Sequence, residues 1–310
     1  MQDIPIYLIM PLLAAILYAA AGLFFKEAFR NGAGSIQSFV LTSWVMSLCF
    51  APFIFWESQP IPWHQIHLPL ITALAFFAGH WLTFSAIKAG DVSLVMPVLG
   101  TKSVFVALFA WLIFGIEIPR SMWLATLLTA VAVYVLGKTD QPGSQRRVPL
   151  ATGLTILSAG AFGLCDALVQ QWATLFGLKA FLTLMFGGVG LMASLLVPHF
   201  NKPLKSLDQK TLAWLGAGAM LTAQQAMLIG MAVAMFQNAT GVNVVYSSRG
   251  LWAIIMVWLL ARVSGYRAES TPRRILFMRL IGAALMVTAI LLAIYSSRSS
   301  SPEIFIEQEA

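Results

Sequence analysis

Residues 93–117 read SLVMPVLGTKSVFVALFAWLIFGIE. Apart from Lys102 the run carries no charge until Glu117, and about 20 such residues suffice to cross roughly 30 Å of hydrocarbon as a helix. A cation at mid-bilayer costs about 2.5–3.5 kcal/mol even on the mild insertion scale. Lys102, some way into the run, therefore demands a partner or a purpose. Pro97 stands before it, lacks an amide donor, and can kink the helix and free carbonyls there.

Runs of the same character recur along the chain. Reading apolar stretches against polar breaks gives ten spans, at 5–26, 36–56, 67–88, 93–115, 119–137, 150–172, 178–198, 211–236, 240–262 and 275–296. The 310 residues are 59% hydrophobic and 10% charged, against about 25% charged in soluble domains, and the mean hydropathy is +0.82. This excludes an ordinary soluble protein and predicts an all-α integral membrane protein of ten transmembrane helices. The net charge of +7 does not point to nucleic acid, because the basic residues sit in short loops between spans. Cys49 and Cys165 both fall inside spans, so neither a disulfide framework nor a metal cluster is expected, and no cofactor is implied. The first span has no basic region before it, so it reads as a retained helix rather than a cleaved signal.

The polar link before Pro149 divides the chain into five spans and five. An odd number of spans per half inverts the second half relative to the first. A shift of 147 residues lays Val95 on Val242, Val98 on Val245, Lys102 on Arg249, Trp111 on Trp258 and Leu112 on Leu259. We therefore expect an inverted 5+5 repeat: residues 1–140 as the first half, 141–149 as linker, 150–297 as the second half and 298–310 as a disordered polar tail. Fourteen of the 19 lysines and arginines lie in odd-numbered loops, and three (Arg120, Lys179, Arg298) in even-numbered loops and tails. The positive-inside rule then puts odd loops in the cytoplasm and both termini outside, in a plasma membrane.

Lys102 and Arg249 face few counter-charges. Asp166 is the only carboxylate well inside a span, so two cations against one carboxylate leave a positive centre that a transported anion would complete. Pairing of Asp166 with one cation, with carbonyls or water serving the other, is the structural alternative. Tyr246 and Ser247 precede Arg249 and, with His80 and Trp81 in span three and Gln224 in span eight, complete the candidate substrate-binding residues. Asp166 and His80 are candidates for proton coupling or counter-charge; His is the side chain that titrates nearest neutrality. Small-residue runs at Ala19-Ala20-Ala21-Gly22, Gly160-Ala161-Phe162-Gly163 and Gly187-Gly188-Val189-Gly190 read as seams for close helix packing. No HExxH, GxSxG, P-loop or dinucleotide motif is present, so the chain reads as no enzyme, and uphill transport would draw on a proton or counter-substrate gradient.

Ten spans in two halves, with the 93–117 segment ending in Gly115 and Glu117, resemble the drug/metabolite transporter superfamily, EamA type. The counterpart after span nine, Ser264-Gly265-Tyr266-Arg267-Ala268-Glu269, is less regular. The resemblance implies a central cavity lined by the fourth and ninth helices. It extends distantly to plastid triose-phosphate translocators, which bind phosphate through a lysine on helix four and a Lys-Arg pair on helix nine. Lys102 and Arg249 match two of these, and Ser248 stands in place of the other lysine. Many EamA transporters put both termini inside, opposite to the charge distribution here. The expectation is a secondary transporter of small, anionic (phosphate- or carboxylate-bearing) metabolites, working by alternating access, with exchange favoured. Its partners would be a small-molecule substrate and the lipid bilayer, as a monomer or homodimer. Alternatives are an exporter of amino acids or other zwitterionic compounds, a lipid flippase, or a membrane scaffold without transport activity.

Overall fold

The computed structural model describes residues 6–89, 95, 98–137, 148–200, 203–253, 255–256 and 273–299. Ten helices run through them: α1 Ile6–Arg30, α2 Ser35–Phe50, α3 His67–Ala89, α4 Lys102–Phe114, α5 Arg120–Gly137, α6 Val148–Phe176, α7 Leu178–Ser194, α8 Gln209–Phe236, α9 Ala239–Tyr246 and α10 Arg273–Ser299. Among the described residues there is no strand. Five segments, at Leu8–Arg30, Ser35–Trp56, Trp63–Ile87, Pro149–Phe176 and Gln209–Phe236, are long and apolar enough to cross a bilayer, and shorter apolar helices lie between them. The chain is a multi-pass membrane protein.

Three of the expected spans are not single α-helices. Span two changes at Ala51–Trp56 to a 3-10 helix, where Pro52 stands near its start. Span four carries a 3-10 turn at Leu99–Thr101, immediately before Lys102. Span nine breaks at Ser247 and Ser248 and is helical again from Arg249. Pro97, Lys138 to Arg147, and the segment from 257 to 272 lie outside the described residues, as does the tail from 300; α10 itself extends to Ser299.

Neighbouring helices meet in antiparallel pairs, which residue contacts make plain. On α2 and α7, Trp44 Nε1 donates to Ser194 Oγ at 2.9 Å, Phe50 stacks on Phe186 at 4.2 Å, and Thr183 Oγ1 donates to the Phe50 carbonyl at 2.9 Å. On α3 and α6, Thr83 and Ser158 hydroxyls lie 2.7 Å apart, and Ser158 also donates to the Gly79 carbonyl at 2.7 Å. On α1 and α8, Phe25 covers Gly218 and the Asn31 carbonyl accepts from Thr211 at 3.2 Å. Two glycines explain how closely the backbones approach. A Cβ at Gly163 would meet the Phe105 Cβ at 2.6 Å and its backbone carbon at 3.1 Å, so α4 and α6 touch nearly main chain to main chain. In the Gly187–Gly190 run, a Cβ at Gly188 would meet Ala73 at 3.1 Å and one at Gly190 would meet Ser47 at 2.8 Å, whereas a Cβ at Gly187 or Gly22 would meet nothing within 4 Å.

The exterior is apolar: Leu48, Leu191 and Leu195 are 71%, 73% and 75% exposed. In water such a surface would aggregate; in lipid it is the solvated face. The ends are fixed by polar groups. Glu57, in the loop after α2, accepts the backbone amides of Ser58 and Gln59 on one oxygen and of Lys179 and Ala180 on the other. It thereby caps α7 from another part of the chain. Gly177, just before α7, has φ +78°, and the Glu57 carboxylate occupies the space a Cβ would need. Burial raises the Glu57 carboxyl pKa, but the backbone amide donors outweigh it and hold it below its ordinary value of about 4.5.

Gly163→Ala should destabilise the detergent-solubilised protein by about 1–3 kcal/mol, read as a lower melting temperature, while Gly187→Ala should not lower it. Because the Glu57 pKa is depressed on folding, its stabilisation is present above about pH 4.5 and is lost as pH falls through the lowered value. Glu57→Gln should therefore flatten the acid limb of a melting-temperature profile between about pH 5 and 3 without altering the neutral-to-alkaline limb.

Candidate functional site

The two helix breaks meet in the interior. Ser247 Oγ lies 3.4 Å from the Gly100 carbonyl oxygen, while its stronger bond goes to the Asn243 carbonyl at 2.7 Å. Gly100 has no room for a side chain, since a Cβ would meet Val133 at 2.6 Å. Beyond the breaks stand Lys102, the first residue of α4, and Arg249, where span nine resumes. A cation at the positive end of a helix is disfavoured by the helix dipole, so each adds to the demand for negative charge nearby.

Asp166 on α6 meets that demand for Lys102. The Lys102 Nζ to Asp166 Oδ2 distance is 2.6 Å, and both side chains are about nine-tenths buried. Asn243 Nδ2 donates to the same Asp166 oxygen at 2.6 Å and to the Ala239 carbonyl at 2.9 Å. One turn along α6, Gln170 Oε1 accepts the Ala239 amide at 2.9 Å and caps the start of α9. A single face of α6 therefore holds both broken helices. The Lys102 ammonium also lies 5.6 Å from the Phe162 ring centroid and 5.8 Å from that of Tyr246.

Arg249 is held differently. Its guanidinium carbon is 4.4 Å from the Tyr246 ring centroid and 5.4 Å from that of Tyr18, contacts worth about 2 kcal/mol when desolvated. It is 5% exposed, and its Nε has no hydrogen-bond partner. Among the described residues no carboxylate lies within ion-pair distance of it. Of the two pairings open to Asp166, the structure takes Lys102, and the uncompensated charge is on Arg249.

Both cations open onto one cavity of about 740 Å³ of non-atom space, part of it open to solvent. Asp166, Tyr246 and His80 line it too, together with Tyr18, Phe76, Phe162, Phe186, Thr222 and Gln225. A second cavity, partly open to solvent, shares Tyr18, His80 and Thr222 with the first and extends past Gly22 and Phe25 to Lys26 and Phe29, near the end of α1. His80 is enclosed by Phe39, Phe76 and Phe84 at ring distances of 4.9, 5.7 and 5.0 Å, and its Nδ1 has no partner.

Of the residues singled out in the sequence, Lys102, Arg249, Tyr246, Asp166 and His80 come together at this cavity. Three do not line it. Gln224 is exposed, and its neighbour Gln225 faces inward. Trp81 packs edge-on against Phe39 at 5.6 Å in a separate cluster. Ser247 is buried between the helix breaks. The sequence held a signal for Gln225: with Thr222, Ile229 and Val233 it follows the three-to-four spacing of one helix face. Tyr18 carried no such signal, because only the packing of α1 on α8 and α9 brings it beside Arg249.

Comparisons with known proteins agree with this architecture. A solved crystal structure superposes with a TM-score of 0.66 at 16% identity, covering 95% of this chain and 99% of the other, which shows the fold alone. An uncharacterized transporter of Archaeoglobus fulgidus is 27% identical over 144 residues, 44% of this chain. The match spans about half, 50%, of that relative's length. Residues 5–138, which contain α1 to α5 and Lys102, match the EamA-like transporter family. Over residues 5–138 the chain is therefore similar to the EamA-like transporter family.

Proposed function

We propose that the chain is a secondary active transporter of small organic anions, moving them by alternating access between two five-helix halves. The observation that carries this reading is Arg249: a buried cation with no carboxylate partner among the described residues, on the wall of the central cavity. Leaving such a charge unmatched costs several kcal/mol, and an anionic ligand removes the cost. Lys102, balanced by Asp166, stands beside it as the second cationic contact.

An inverted repeat fits the packing. The α3–α6 and α1–α8 pairs are equivalents under a shift of five helices, and the breaks at Leu99–Thr101 and Ser247–Ser248 precede the matched cations. Discontinuous helices meeting at the midplane are where secondary transporters hold their substrates. The second cavity runs toward Lys26, on the side that the lysine and arginine distribution assigns to the cytoplasm of a plasma membrane. With the site empty, one positive charge stays buried and uncompensated, which opposes the return of the unloaded carrier and favours exchange of one anion for another. Export of zwitterionic compounds is the second reading, supported by Asp166, a carboxylate on the wall of the same cavity.

In proteoliposomes, labelled organic anion should accumulate at least about ten-fold faster when vesicles are preloaded with unlabelled anion than when empty. Equal rates would refute exchange. Arg249→Gln should weaken anion binding about 10- to 100-fold, the loss expected for a charged hydrogen bond, measured as the half-saturating concentration. Lys102→Met alone leaves Asp166 buried and unpaired and should cost about 3–5 kcal/mol, seen as low abundance. The double variant Lys102→Met/Asp166→Asn should recover abundance, which would mark the pair as mutually compensating.

A further inference from the structure

We infer that the central cavity takes an organic monoanion with an apolar or aromatic body, its charge on Arg249 and its body against α6, α7 and α8; this deepens the organic-anion reading and rests on it. Charge sets the first limit. Lys102 is balanced by Asp166 at 2.6 Å, so among the described residues the charged side chains that line the cavity sum to one positive charge, that of Arg249. A ligand with one negative charge neutralises the site. A dianion brings a second charge for which the described lining residues offer no free cation. An ammonium group finds the one carboxylate among the described lining residues already held by Lys102 and Asn243.

The wall sets the second limit. Away from the cations the cavity is lined by Phe76, Phe186, Leu182, Met185, Ile229 and Val233, with Thr222 and Gln225 as the neutral hydrogen-bonding side chains of α8. A compact, strongly hydrated anion would give up its water there and receive little in return. An apolar body gains from burial, at about 0.8 kcal/mol per buried CH₂. The guanidinium is suited to the charged end. It is fixed over Tyr246, keeps an unpartnered Nε, and presents donors in the planar fork that matches a carboxylate.

The test is a set of ligand-binding isotherms, read by thermal shift on the full chain in detergent, with six probes: benzoate, hexanoate, acetate, succinate, phenylalanine and benzyl alcohol. Benzoate and hexanoate should raise the melting temperature at least about ten-fold lower concentration than acetate, which lacks the body. They should also bind at least about ten-fold more tightly than succinate or benzyl alcohol, which have one charge too many or one too few. Arg249→Gln should erase the preference for benzoate over benzyl alcohol. If that variant does not fold, the wild-type series decides by itself. Succinate binding as tightly as hexanoate would overturn the monoanion assignment while leaving an organic-anion transporter in place. Acetate equal to benzoate would overturn the apolar body alone. Binding only of phenylalanine or benzyl alcohol would overturn both this inference and the reading beneath it. No shift with any of the six would overturn the inference, and anion exchange in proteoliposomes would then stand or fall separately.

Discussion

Asp166 accepts from Lys102 and from Asn243 on one oxygen, and these two bonds, each 2.6 Å, join α4 and α9 to α6. In an apolar interior a carboxylate cannot be left bare, and neither can an ammonium. Each therefore fixes the other's position more firmly than either could be fixed by packing. The approach needed for this contact depends on Gly163, one turn before Asp166, where α4 comes within van der Waals reach of the α6 backbone. The breaks in spans four and nine then follow from the same constraint. A continuous helix keeps its main-chain groups occupied, whereas a turn before each cation lets the chain change course at the depth where the two charges must lie.

The pair also divides the labour between the cations. Lys102, compact and strongly hydrated when free, takes the carboxylate. Arg249, with a delocalised charge that tolerates aromatic surroundings, is left against Tyr18 and Tyr246. The result is a cavity whose unmatched charge comes from one side chain among the described residues, while much of the rest of its wall is apolar. Glu57 contributes at the opposite scale, outside the spans, by tying the α2–α3 loop to the start of α7 through main-chain amides.

Much of this was legible in the sequence, for a physical reason. Ten apolar spans and two intramembrane cations stand out because charge in hydrocarbon is expensive and so is rare. Lys102, Arg249 and Asp166 could be marked from composition alone. Which cation Asp166 serves could not, because that depends on the approach of α4 to α6 at a single glycine. Gln224 and Gln225 both fall in mid-span, but adjacent residues differ by about 100° around a helix, so one lines the cavity and the other faces outward. Trp81 failed for another reason, since an aromatic side chain in mid-span packs against any neighbouring helix. Tyr18 was invisible because its importance lies in its neighbours and not in its own spacing.

The contact between the two helix breaks has a bearing on how such a chain can change over generations. Gly100 has Val133 in the space that a Cβ would need and Ser247 Oγ 3.4 Å from its carbonyl oxygen, and those three positions come from different parts of the sequence. An enlargement at position 100 has to be answered by a reduction at 133, and loss of the small hydroxyl at 247 alters the surface that 100 must match. The three positions should drift as a linked set, so that the two segments diverge in sequence while remaining tied to one another at their point of contact.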